Sequence, residues 1–429
     1  MNAEKALAAV ATVVVWSCIA SGSRAQEAGG CSSRVTRANL VQCALSASLR
    51  VDAERRELEA AEARKTALTP LLPSNPVLSL SLARRSTPSA EATNWSATLS
   101  QELEIAGQRG ARRSTADAAL EAQSKRLLLS GRETAGAAWS AFFEALAARA
   151  AERLAERLLT LTQALSDVAH ARAEQGLVAP VDADVATATW VQSAQSRFAA
   201  ERRSSESTSI LLSMFGLDPA RASLLIEGEL LPIDGVDEAL AQYASGAAAD
   251  RPELRVLDAE RRAQESRAAA FRRSRIPNPT ISLFAQRDGF DERVLGVGVA
   301  FPIPLPGNIG RTSLGEIAES EALARRASSE REAAARQIRL EIAIAAQAFA
   351  SRAKAVQAFP PEALARADES LLSLSEEVES GRLALRDAVL AEQSLIELLR
   401  SSIEARREWC LASLTLARAL GMPLEGSLP

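Results

Sequence analysis

The sequence predicts a mainly α-helical chain with a small β part, laid out as two helix–hairpin–helix repeats. Three observations predict it. The first is composition: of 429 residues, 47% are hydrophobic but only 4% are aromatic, with a single Tyr. A thick globular core leans on aromatic bulk, whereas long Ala- and Leu-rich helices do not. The second is an internal repeat. Asn75-Pro76-Val77-Leu78-Ser79-Leu80 is echoed by Asn278-Pro279-Thr280-Ile281-Ser282-Leu283, and Gly107-Gln108-Arg109-Gly110 by Gly307-Asn308-Ile309-Gly310. The Gly176-to-Asp182 spacing recurs at Gly381 to Asp387, and Met214-Phe215-Gly216 matches Ala419-Leu420-Gly421. Four landmarks in the same order at a nearly constant offset mark a duplicated chain. The third is the hydrophobic period, which switches between helix-like and strand-like at matching places in both halves.

The chain opens with Lys5 ahead of an apolar run from Ala6 to Ala20 and a small-residue site at Ser23-Arg24-Ala25. This three-part pattern is a secretory signal peptide over residues 1–25, with the mature chain starting at Gln26. Cys18 follows Val15-Trp16-Ser17, which partly resembles a lipoprotein cleavage box, Trp16 being the departure. Cys31 and Cys43 lie near the mature N-terminus, where an oxidising compartment permits a disulfide. Cys410 reads as a buried small apolar residue. The first repeat occupies residues 26–216 and the second 237–421. A linker at 217–236 carries Pro219, Gly228, Pro232 and Gly235, and residues 422–429 form a tail.

Within the first repeat, residues 35–69 read as a helix ended by Pro70, Pro73 and Pro76. Val77–Ala83 then alternates, with Leu78, Leu80 and Leu82 opposite Ser79 and Ser81. After a polar loop Trp95–Glu104 alternates again, and Thr280–Gln286 and Val294–Pro302 do so in the second half. Period-two alternation means a different environment on each face. Residues 108–175 lack proline, and Leu154, Leu158, Leu161, Leu165 and Val168 follow coiled-coil spacing. At about 1.5 Å per residue this helix spans about 100 Å. Its counterpart at 308–379 is interrupted by Pro360-Pro361, where a kink is expected. Helices 35–69 and 180–214 together match the long helix in length. The expected packing is one long helix against two short ones stacked in line, done twice.

No later segment holds the roughly 20 apolar residues that a membrane-spanning helix needs. Such an exported chain can enter a membrane only by strands. Four strands cannot close a barrel, for which about eight is the common minimum, and an open sheet would leave unpaired edges in lipid. Closure therefore needs further copies of the chain. With one histidine, His170, and four cysteines, no His/Cys metal cluster can be assembled. His170 reads as a surface residue, and one histidine in a coiled coil builds no Ser/His/Asp set. A formal net charge of -4 carries no footprint for nucleic acid. The chain reads as a non-enzyme without cofactor or bound metal.

The turns Gly176-Leu177-Val178-Ala179-Pro180-Val181-Asp182 and Gly381-Arg382-Leu383-Ala384-Leu385-Arg386-Asp387 resemble those of the TolC-like outer-membrane efflux proteins. Ser100-Gln101-Glu102-Leu103-Glu104-Ile105-Ala106-Gly107-Gln108-Arg109 resembles the strand-to-helix junction of their heavy-metal branch. The resemblance implies a homotrimer whose twelve-stranded β-barrel crosses the lipid of the outer membrane and whose α-helical barrel reaches into the periplasm. It implies a passive exit duct for metal cations or small molecules, delivered by an inner-membrane pump through a periplasmic adaptor. It places Asp387 and Asp182 at the periplasmic aperture. Leu390 stands where some members carry a second acid, which leaves a single ring and a weaker cation filter. The resemblance assigns adaptor docking to the tips Gly176, Leu177, Val178, Gly381, Arg382 and Leu383. Trp95 is the candidate for the aromatic girdle at the membrane interface. The turn chemistry agrees on its own terms: Gly permits the left-handed residue that ends a helix, and Asp suits the start of the next. A second function class is an exported structural coiled-coil protein without transport, but a plain coiled coil needs no amphipathic hairpins.

Overall fold

The computed structural model describes residues 34–87, 90–246, 251–287, 292–303, 305, 307, 309 and 312–424. The expected signal peptide, Cys18 and Cys31 lie outside these residues.

The organising element is α3 (Gln108–Glu174), one unbroken helix of 67 residues. Two shorter helices cover it in succession. Helix α2 (Leu49–Leu68) runs antiparallel along its first half, marked by Lys65–Asp117 at 2.9 Å and Arg50–Glu133 at 2.6 Å. Helix α4 (Pro180–Met214) folds back along its second half. The second half of the chain repeats the scheme with a break. There α6 (Pro252–Ser274) and α9 (Leu385–Leu420) lie against α7 (Leu314–Gln357) and α8 (Pro361–Glu379). The break falls at the expected Pro360-Pro361. Pro360 is extended with ψ 138°, and Pro361 opens α8, where a missing N–H costs nothing. Among the described residues no helix is long and apolar enough to cross a membrane.

The joints between stacked helices are held from the side. Arg132 of α3 donates to the carbonyls of Gly421 and Arg418, both at 2.9 Å, and so caps the end of α9. Arg251, which precedes α6, donates to Ala419 O at 3.0 Å and pairs with Glu253 at 2.8 Å. A cation is favourable at a helix C-terminus, and Arg132 ties the end of α9 to α3 while Arg251 ties it to the start of α6. Beside the joints, Trp139, Phe142 and Phe143 of α3 are fully buried, with Trp139 edge-on to Phe142 at 5.9 Å. The Arg37 guanidinium stacks over Trp139 at 5.2 Å. Cys410 is buried in the same core, which pushes its thiol up to about 12.

Several sequence expectations shift here. The helix expected over 35–69 is two: α1 (Leu40–Ala47) and α2, parted at Ser48, whose Oγ accepts from Val51 N at 3.3 Å. Residues ahead of α1 form β1 (Arg34–Val35), parallel to β4 (Leu225–Ile226) within the expected linker. That linker packs: Leu224, Leu230 and Ile233 lie on the core, and α5 (Val236–Ala244) starts at its end. Cys43 is disulfide-bonded. The echo of Gly107 by Gly307 does not mark the same place in the two helices. Gly107 sits at φ 77° immediately before α3, but the residue before α7 is Ser313, at φ 53°. The segment after the second hairpin is longer, so its left-handed residue falls later in the chain.

One sheet of four antiparallel strands carries the alternating segments, in the order β2 (Val77–Thr87), β3 (Ala90–Glu102), β5 (Thr280–Arg287), β6 (Arg293–Ala300). Strands β2 and β3 run on through the expected polar loop, where Arg84 pairs with Glu91. Trp95 is therefore inside β3, not at its start. Register aligns the apolar positions in rows: Leu78, Leu99, Leu283 and Val297 form one, and Leu80, Ala97, Ala285 and Leu295 the next. The other face carries Ser79, Thr98, Phe284 and Gly296 in one row and Ser81, Ser96 and Gln286 in another. A Cβ on Gly296 would overlap the Phe284 ring. Gly296→Ala should therefore destabilise the protein by about 1–3 kcal/mol through overpacking. Chemical denaturation should find the loss largely reversed in the double variant with Phe284→Ala.

Candidate functional site

Two regions combine exposure with unusual chemistry: the helical turns at Gly176 and Gly381, and the outward face of the sheet.

The turns are copies of one another. Helix α3 ends where Gly176 takes φ 72°, with its N–H donating to Ala173 O at 3.0 Å and Leu177 N–H to Arg172 O at 2.9 Å. Gly381 repeats this at φ 76°, donating to Val378 O at 3.0 Å, while Arg382 N–H reaches Glu377 O at 3.0 Å. Both pairs satisfy the last carbonyls of the helix with a left-handed residue that only Gly adopts freely. Extended Ala179 and Ala384 then launch α4 and α9. Asp182 and Asp387 each fall third in the new helix, where the exposed N–H groups favour an anion.

The two turns also meet. Arg172, in the last turn of α3, donates to Glu379 O at 3.2 Å across the gap. A Cβ on Gly381 would stand 3.2 Å from the Arg172 guanidinium. The candidate aperture and docking residues are thus gathered at one end of the bundle. Asp387 and Arg382 are exposed, Asp182, Val178 and Leu383 half-buried, and Leu177 is 65% exposed. No ion pair or side-chain hydrogen bond engages Asp182 or Asp387 among the described residues. His170 is exposed and bonds Thr187 Oγ1 at 2.9 Å, tying α3 to α4.

Sequence reasoning missed Arg172 and Glu392. Nothing in the sequence marks Arg172, because its acceptor is a backbone carbonyl of another helix. Glu392 did leave a signal. Leu385, Val389, Glu392, Ile396 and Leu399 follow coiled-coil spacing along α9, with an acid in an apolar seam. Glu392 is 1% exposed, and its Oε2 has no hydrogen-bond partner. Burial pushes its carboxyl up to about 7.

The sheet face is the second region. Leu78, Leu80, Leu82, Leu99, Leu283, Leu295, Val297 and Val299 all lie exposed on one side of it. Trp95 closes this apolar field, in a row with Leu82, Arg287 and Arg293. Below the sheet, Gln108 donates to Ile276 O at 3.0 Å, Asn278 to Glu102 at 2.8 Å and Arg112 to Glu104 at 3.0 Å. These bonds tie the strand ends to the helices.

This arrangement is found in known structures. The outer membrane protein VceC from Vibrio cholerae superposes with a TM-score of 0.69 at 16% identity, over 90% of this chain and 96% of that one. The outer-membrane channel OprN superposes at 0.68 with 17% identity, over 91% and 90%. CusC superposes at 0.66 with 16% identity, over 90% and 92%. The chain has the fold of the TolC-like outer-membrane channels. No family model matches it, and no curated protein sequence does either. Within this TolC-like fold, the apolar sheet face and the paired helical turns lie at opposite ends of a chain about as long as its structural counterparts.

The buried carboxyl predicts how stability depends on pH. Glu392 titrates at 4.5 in an unfolded chain and at about 7 here, so the folded state holds the proton more tightly. Stability from this group is full below pH 4.5 and is lost as pH rises to about 7, by of order 3 kcal/mol. Thermal unfolding at pH 5 and pH 8.5 should show a fall in Tm for the wild type that Glu392→Gln largely abolishes.

Proposed function

We propose that this protein is the passive outer-membrane exit duct of a tripartite efflux system, built from three copies of the chain. The observation that carries this reading is the sheet. One face is a continuous apolar field, while the opposite face is mixed, with Ser79, Ser81, Ser96, Thr98 and Ser282 beside Phe284 and Gly296. Among the described residues both outer strands, β2 and β6, have one unpaired edge. A surface of that kind is costly in water and its edges are prohibitive in lipid. Closing the edges on further copies removes both problems, and three copies supply twelve strands.

The bundle supports the same assembly. Helices pack in the order α2, α3, α6, α7, the order of the strands they adjoin. The open edges of the sheet therefore continue as open flanks of the bundle. Exposed Val191, Phe198 and Ile210 lie on α4, and Leu340, Ile344 and Leu372 on α7 and α8. A neighbouring copy would cover these residues as it pairs with the strand edges.

In this reading the helical turns lie at the periplasmic end. Three copies of Asp387, assisted by Asp182, ring the aperture and favour cations. Gly176, Leu177, Val178, Gly381, Arg382 and Leu383 receive the periplasmic adaptor, which connects to an inner-membrane pump. The exported species, metal cations or small molecules, is selected by the pump. Trp95 anchors the strands at the membrane interface.

Light scattering of detergent-extracted protein from isolated outer membranes should yield three times the mass of the mature chain. A monomer that washes off without detergent would remove this function and leave a structural coiled coil. Two substitutions sharpen the test. Leu80→Lys places a charge in the lipid-facing field, costs about 2–4 kcal/mol, and should deplete the protein from the outer membrane. Asp387→Asn should leave assembly intact and lower the cation-to-anion permeability ratio read from reversal potentials in planar bilayers.

A further inference from the structure

Helix α8 is a separate segment of the bundle, bounded by a break at each end. The break at Phe359–Pro360 detaches it from α7, and the turn at Gly381 detaches it from α9. Its hold is an apolar seam. Leu371, Leu374 and Val378 pack in one cluster with Leu385 and Ala388 of α9 and with Leu158 and Leu165 of α3. Two polar ties add to it: Arg157 to Asp368 at 2.6 Å, and Arg172 to Glu379 O. By helical spacing Glu392 falls in line with Leu385, Ala388, Leu395 and Leu399 of that cluster, buried and, among the described residues, with Oε2 unpartnered. A carboxyl there is compatible with close packing only while it is neutral, because an unpaired buried charge is strongly destabilising.

We propose that Glu392 is a proton-operated latch on the aperture: with its carboxyl neutral, α8 lies closed against α9, and ionisation releases α8 about its break and shifts Asp387. This latch presupposes the channel function above. Glu392 lies about 16 Å from the Gly381 turn, counting about 1.5 Å per residue, level with Leu371 of α8. Charged or titratable groups near that level are Arg366, Asp368, Glu369, Glu376 and Glu377 on α8, Glu156, Arg157, Asp167 and His170 on α3, and Asp184 on α4. On α9 itself they are Arg386, Asp387 and Glu397, and α7 ends at Gln357, short of this level. Arg157 is engaged by Asp368 and His170 by Thr187. None of these groups contributes to the raised proton affinity of Glu392, which comes from burial alone. The transition therefore falls near neutrality, well above the range where exposed carboxylates titrate.

The test uses the full chain in planar bilayers between pH 5.5 and 8.5, with a second readout that needs no channel. Wild-type single-channel conductance should rise severalfold with pH through a midpoint near 7, and Glu392→Gln should hold the acid value throughout. Asp387→Asn should alter ion selectivity and keep the midpoint, and His170→Gln should keep it as well. In parallel, spin labels on Ser370→Cys and Leu390→Cys, both exposed, report the α8-to-α9 separation. That separation should widen over the same pH range in the wild type and not in Glu392→Gln. A Glu392→Gln variant that titrates like the wild type, or a transition lost in His170→Gln instead, overturns the latch. So does an α8-to-α9 distance that ignores pH. Label movement without conductance at any pH supports the latch and sinks the channel function instead.

Discussion

Everything in this structure hangs on the middle of α3. A helix of 67 residues cannot be buried by one ordinary neighbour, so two shorter helices must meet beside it, and their ends expose orphan backbone groups. The chain meets that problem with its scarcest residues. Although aromatics are only 4% of the sequence, Trp139, Phe142 and Phe143 are set together on α3 beside the joints. Around them gather α1, the β1–β4 pair, the end of α9 and the segment before α6. Arg132 and Arg251 satisfy the loose carbonyls of α9, and Arg37 covers the Trp139 ring. The two distal ends of the molecule, sheet and turns, are aimed by this central knot.

The ends themselves are built on opposite physical terms. At the sheet, the bonds of Gln108, Asn278 and Arg112 tie the strand ends directly to the bundle. At the turns, the second half is broken where the first is continuous. Helix α3 runs unbroken to Gly176, but its counterpart is severed at Pro360-Pro361. The duplicated chain is thus asymmetric where it matters: one half is a strut, the other a strut with a joint. The one buried acid of α9 lies within the jointed half.

Most of the architecture was legible in the sequence because it rests on local rules. Proline placement set the starts of α4 and of α8, the Leu154-to-Val168 spacing marked α3, and alternation located all four sheet strands. What escaped was non-local. The strands outran their alternating cores because cross-strand pairing, including Arg84 with Glu91, carries the ladder through polar residues. The β1–β4 pair was invisible, since two residues on each side form a strand only by finding one another across the chain. Ser313 took the role sought at Gly307 because a backbone conformation, not a residue type, is what a helix start requires.

By itself the sequence determined the duplication, the lengths of α3 and α4, the two Gly-to-Asp turns and the two-faced strands, since each follows from periodicity and from the backbone limits of Gly and Pro. Only the tertiary structure decided the strand order, the matching order of the helices, the meeting of the two turns through Arg172, and the burial of Glu392. The physical reason is the same in each case. Which surfaces meet depends on residues far apart in the chain, and whether a carboxyl is bare or buried depends on what lies opposite it.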